Sequence, residues 1–165
     1  MKRRYIPWLA AGLCIALLVA LEVYPVRKPY QYPVEAWSEE WYAMTPGERQ
    51  AACDVPIGLM KRMTTEALAE TVLDHPSARS MAFNLAVSSR MPPDYRRAYD
   101  AAGANFQGLW MLESRRDGRA VLENIYAETS EEEDPSKRQY IRYILAAWDQ
   151  GPSEPTLASG RIPDR

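Results

Sequence analysis

Apolar positions along this chain follow two regimes. From Ile6 to Leu21 they run together, interrupted only by Pro7, Trp8 and Gly12, and as a helix this run is about 24 Å long. Beyond Thr45 they recur at three- and four-residue intervals, the spacing of one helical face. Thr45-Pro46-Gly47-Glu48 supplies a hydroxyl cap, a proline at the first helical position and a glutamate placed to complete a capping box. That predicts a short helix to about Ala52. Pro56 and Gly58 break the chain before Thr64, which caps a helix carrying Leu68, Val72 and Leu73. Pro76 ends it by disfavouring helical geometry at His75. About three turns are too few to be stable alone, so this helix must pack on neighbours.

The same periodicity continues. Ala78, Met81, Ala82, Leu85, Ala86 and Ser89 form a face of mostly small side chains that admits close approach of another helix, with Asn84 beside it as a structural hydrogen-bonding residue. After a break at Arg90 to Pro93, Asp94 caps a helix with Tyr95, Ala98, Tyr99 and Ala102 inward. Gly103 predicts a break or kink. Asn105 to Ser114 carries Phe106, Leu109, Trp110 and Leu112, and Gly108 within it predicts a neighbour pressing on the backbone. Asp117-Gly118 turns the chain into a face of Val121, Leu122, Ile125 and Tyr126. Asp134-Pro135 starts a last helix with Ile141, Ile144, Leu145 and Trp148 inward. After Gln150 the periodicity stops, which predicts a frayed tail over 151–165.

These elements predict an all-α architecture: a single N-terminal transmembrane or signal-anchor helix in residues 1–25, a Pro-rich stalk over 26–40, and an extracytoplasmic bundle over 41–150. The bundle is expected to hold five to seven short helices, stacked or orthogonal. Pro25, Pro29 and Pro33 preclude a helix in the stalk and favour an extended spacer that lifts the domain off the bilayer. Lys2, Arg3 and Arg4 place the N-terminus inside and the remainder outside, with the membrane contacted through residues 5–24 and Tyr5, Trp8 and Tyr24 at the interfaces. A cleavage site is weak, since the best candidate, Leu18-Val19-Ala20, has leucine two residues before the alanine where a signal peptide needs a small residue, and Leu13 disfavours lipid attachment at Cys14. The expected location is the cytoplasmic membrane, or the exterior if the segment is cleaved.

Charge narrows the partners. Setting aside Lys2, Arg3, Arg4 and Glu22, the 20 basic and 22 acidic residues become 17 and 21. With no basic cluster, nucleic-acid binding is not expected. Of the two cysteines, Cys14 lies in the apolar run, so Cys53 reads as a small buried residue without an intrachain bridge.

Candidate chemistry is sparse. His75 is the only histidine, fixed beside Pro76, and reads as a surface or capping residue before it reads as a general base. Glu66 and Glu70 share a face one turn apart and read as solvated. Glu131, Glu132, Glu133 and Asp134 lack the alternating spacing and glycine of a calcium loop. No zinc spacing, phosphate loop or nucleophile elbow occurs, so no metal and no small-molecule cofactor is expected. Tyr30, Tyr32, Trp37, Trp41 and Tyr42 form either an aromatic platform for a sugar or peptide, or the cover of the first helix.

Cys53, Val55-Pro56, Leu59, Met63-Thr64-Thr65, Leu68, Val72-Leu73-Asp74 and Pro76 resemble a family of exported or membrane-anchored bacterial helical proteins of unknown function. In that family a Cys-x-Ile-Pro segment precedes a Met-Ser/Thr-Thr helix start and a Leu-Asp-Tyr-Pro helix end. Ala82-Phe83-Asn84 is similar to its Ala-Tyr-Asn, Phe106-Gln107-Gly108-Leu109 to its Phe-Asn-Gly-Leu, and Tyr140 to Ala146 to its final helix. His75 departs from the usual aromatic and Gly58 from a common acidic residue. The resemblance spans roughly Trp37 to Trp148 and implies a compartment and a helical fold, with no activity. Two functions are expected on these grounds: a protein-interaction or scaffolding module at the cell envelope, or an envelope sugar-binding module or hydrolase using Trp37, Trp41, Tyr42, His75 and Asn84.

Overall fold

Capping side chains set the starts of the principal helices. In the computed structural model, which describes residues 24–36, 38–88 and 93–152, these are α1 (Glu39–Ala43), α2 (Pro46–Cys53), α3 (Ile57–Arg62), α4 (Thr65–Leu73), α5 (Pro76–Ser88), α6 (Tyr95–Asn105), α7 (Gly108–Glu113), α8 (Gly118–Glu128) and α9 (Pro135–Asp149). Thr45, Thr64, Asp94 and Asp134 each accept a hydrogen bond from the amide three residues on, and Thr45 and Glu48 complete the capping box. The described residues thus hold nine helices rather than five to seven. The surplus is in α1 and α3, single-turn pieces too short to leave a periodicity, and α3 forms across Gly58 where a break was expected. None of the described helices is long and apolar enough to cross a membrane. The expected anchor falls on residues 1–25, nearly all outside the described residues, as does the expected tail beyond Pro152.

The core is built on α4 and α9. Leu68, Ala69, Thr71, Val72 and Leu73 are fully buried, and α4 packs on α7, α8 and α9. Burying each of Leu68, Val72 and Leu73 contributes about 1.5–3 kcal/mol, which holds a helix this short in place. From α9, Tyr140, Ile141, Ile144 and Ala147 face inward, while Leu145 and Trp148 are half-buried at the margin. The small residues Ala78, Ala82 and Ala86 of α5 are buried, as are Ala98 and Ala102 of α6. This pair makes the most extensive helix contact in the molecule, as the small-residue face predicts.

Two glycine expectations change. Gly103 lies inside α6 without breaking it, and a Cβ there would sit 2.6 Å from Trp110 Nε1. Gly108 opens α7 instead of lying mid-helix, and a Cβ would fall 2.3 Å from the Phe106 ring. A bulky neighbour does press on it, from the corner between α6 and α7.

The proline-rich segment is extended, as its prolines require, but it lies on the domain instead of standing off it. The Val26 amide donates to the Arg62 carbonyl at 2.8 Å, and Thr64 N–H to the Val26 carbonyl at 2.9 Å, a parallel bridge beside Met63. Tyr30 N–H donates to Thr71 Oγ1 and the Tyr32 hydroxyl to the Thr71 carbonyl, both at 2.9 Å. Val34 is buried with Trp41 and Cys53 in a small second core. Alternate apolar and tyrosine side chains along this strap, residues 26–36, supply the contacts that dock it.

Candidate functional site

Between the strap, the α4–α5 corner and the start of α9 lies an open cleft of about 800 Å³. Tyr30, Tyr32 and Val34 form one wall, Asp74 to Phe83 the other, and Ser136, Gln139 and Tyr140 close the end. The size falls within the range of small-ligand sites.

His75 sits in this cleft at the corner, in the position of an N-cap for α5. Its Nδ1 accepts from Ser77 N–H at 3.2 Å and Ala78 N–H at 2.9 Å. Both bonds are donated to the ring, so Nδ1 carries the lone pair and Nε2 carries the hydrogen. The ring stacks on Phe106 at 4.1 Å between centroids and meets the Tyr32 ring edge-on at 5.4 Å. Of the two expectations for His75, capping holds and surface exposure does not: it is 2% exposed. Burial lowers its pKa to about 4, against weaker upward pulls from its own backbone, Asp54 and the Cys53 backbone. The imidazole is therefore neutral at pH 7, with Nε2 shielded from solvent and the Cys53 backbone beside the ring.

On α9, the Tyr140 hydroxyl and Trp148 Nε1 are both buried without a hydrogen-bond partner among the described residues. Tyr140 is 2% exposed and lines the cleft. Burial raises its pKa, so it stays protonated.

Charges around the cleft are largely tied up. Arg79 bonds Asp134 at 2.9 Å and also reaches Ser136 Oγ, while Lys137 bonds Glu70 at 2.6 Å. Glu70 is thus paired rather than simply solvated, and Glu66 is exposed as expected. Asp74 stands exposed in the cleft wall outside both pairs, its pKa raised by partial burial of the carboxyl. No cluster of metal-ligating side chains occurs among the described residues.

The other sequence-derived candidates do not converge here. Trp41 is buried beside Val34 and Cys53, with the Arg49 guanidinium 5.7 Å from its ring centroid, so it covers the first helices. Tyr42 is 62% exposed and Asn84 is exposed on α5, and neither lines the cleft. Trp37 lies outside the described residues. Cys53 is buried, as expected, with Sγ 3.4 Å from Ser77 Oγ. Sequence reasoning missed Asp74, Phe83 and Tyr140. The available signal for Tyr140 was a phenol placed beside Ile141 on the otherwise apolar inward face of α9.

Comparison with known protein families, with curated proteins and with solved structures returns no match.

Proposed function

We propose that this chain is a non-catalytic binding module of the cell envelope, held at the outer face of the cytoplasmic membrane by its N-terminal apolar segment, and that the cleft beneath the strap takes a small polar ligand. One observation carries this reading: the strap, the α4–α5 corner and the start of α9 bound an open cleft of about 800 Å³ lined by Tyr30, Asp74, Ser80, Phe83 and Gln139, a mixture of aromatic, hydroxyl, amide and carboxylate groups. The hydrolase version of the reading loses its base. Nδ1 is occupied by two backbone amides and Nε2 already holds a hydrogen, so the ring cannot take a proton from a nucleophile without becoming a buried cation. A scaffold that uses large flat surfaces draws less support, because the exposed aromatics Tyr42 and Trp110 are not cleft residues.

A photoreactive amino acid placed at Phe83, on the cleft rim, tests this in intact cells against the same probe at Ala120, exposed on α8 away from the cleft. An adduct formed from position 83 alone is the expected result. Equal labelling from both positions refutes a cleft-specific ligand. Membrane retention after alkaline extraction tests the anchor separately.

A further inference from the structure

Val26, the first residue of the strap to dock, lies two residues beyond Tyr24, so the chain between them spans at most about 7 Å. With residues 5–24 in the bilayer, the corner where Val26 pairs with Arg62 and Thr64 is held at the headgroups instead of on a stalk, and the inference that follows rests on that anchor.

Three segments meet at this corner. The strap brings Arg27 and Lys28, and the end of α3 brings Lys61 and Arg62. The turn between α7 and α8 brings Arg115 and Arg116, fixed there by bonds from the Arg115 guanidinium to the Met60 and Met63 carbonyls at 3.1 and 2.7 Å. Arg27, Lys28, Lys61 and Arg116 are exposed, and the ion pairs among the described residues draw instead on Arg79, Arg96, Arg119 and Lys137. Of the neighbouring carboxylates, Asp117 accepts from the Thr65 hydroxyl at 2.9 Å and Glu66 is exposed on the first turn of α4. Positive charge therefore prevails here, in a chain whose net charge is −2. The dipole of α3 accounts for Lys61 and Arg62 at its C-terminus but not for Arg27, Lys28 and Arg116. Beyond the other end of α8, Glu131, Glu132 and Glu133 are exposed. The 11 residues of α8 put about 16 Å between the basic and acidic ends. Screening acts over about 8–10 Å, so headgroups beside Tyr24 act on the basic end and not on the acidic one.

We propose that Arg27, Lys28, Lys61 and Arg116 dock this corner on anionic phospholipid headgroups of the membrane that holds the anchor, and so fix which end of the domain faces the bilayer. α4 starts at the corner and ends at Asp74 on the cleft, so its nine residues hold the cleft about 14 Å clear of the docked face.

The test is lysine acylation by an uncharged reagent, read by mass spectrometry on the full chain in phosphatidylcholine nanodiscs with and without about one-third phosphatidylglycerol. Lys61 reports the corner, and Lys137, at the start of α9 beside the acidic connection, reports the remote end. Expected is labelling of Lys61 slowed at least about three-fold in the anionic discs with Lys137 unchanged, and the difference lost in about 0.5 M salt. In the double variant Arg27→Gln, Arg116→Gln, whose helical circular dichroism should match the parent's, at least about half of the slowing at Lys61 should disappear. Equal labelling of Lys61 in the two discs overturns the inference, as does equal slowing of Lys61 and Lys137, the mark of a general charge effect. Slowing at Lys61 that the double variant leaves intact also overturns it, since nearness to the bilayer alone would then suffice. In each of these outcomes a chain retained in the discs leaves the anchor standing. A chain retained in neither disc overturns the anchor and the docking together.

Discussion

Acid should destabilise this protein through one side chain. In the unfolded chain His75 takes up a proton near pH 6.5, whereas in the folded domain burial holds it neutral down to about pH 4. Between those values the unfolded state binds more protons than the folded state, so stability falls as pH drops through the window and levels off below it. At about 1.4 kcal/mol per unit, the full loss is about 3 kcal/mol, a large share of the net stability of a domain this size. The measurement is denaturant unfolding, followed by helical circular dichroism at about pH 7.5 and at about pH 4.5. The comparison is His75→Asn, which keeps an acceptor for the Ser77 and Ala78 amides and does not titrate. Asp74 has the opposite sign near the acid end, because its raised pKa favours the protonated folded state, and Asp134, whose pKa is lowered, has the same sign as His75, but both are common to both proteins. The parent is expected to lose about 2–3 kcal/mol and His75→Asn less than about 1 kcal/mol. Parallel losses would refute the assignment of a buried, neutral, capping imidazole.

Three further substitutions probe the packing. Thr71→Val keeps the volume but leaves the Tyr30 amide without its acceptor, so stability should drop by about 1–2 kcal/mol, with amide exchange accelerated along the strap while the helices stay protected. Gly118→Ala would set a Cβ 2.3 Å from the Leu112 carbonyl oxygen; because backbone cannot yield as a side chain does, a loss of about 1–3 kcal/mol and a lower melting temperature are expected. Tyr140→Phe should instead stabilise the ligand-free protein, by about 1 kcal/mol, and a lower melting temperature would show that its hydroxyl has a partner.

Caps are local, and local chemistry is legible. Thr45, Thr64, Asp94 and Asp134 announced their helices because each cap and its amide are three residues apart. What stayed hidden depends on distant partners. Arg115 donates to the Met60 and Met63 carbonyls at the end of α3, and Arg138 to those of Tyr126 and Thr129 at the end of α8. Neither pairing leaves a pattern in sequence. The prolines of the strap fixed its geometry and said nothing of where it docks, which Thr71 decides from 41 residues away. Gly103 looked like a breaker because local propensity knows nothing of the Trp110 ring. For the site, His75 and the strap tyrosines were visible as unusual residues. Their company was not, since Tyr140 reaches the cleft only once α9 has crossed α4 and α5.

The cleft also carries information about chain completion. Its walls come from the strap, the α4–α5 corner and α9, the first, middle and last parts of the described chain. During synthesis the strap emerges early but has nothing to dock on until Thr64 and Thr71 follow, and the far end is absent until Tyr140 is made. Closing contacts so far apart in sequence is the slow, entropically costly part of folding. A ligand that requires the whole cleft therefore discriminates finished molecules from nascent or truncated ones.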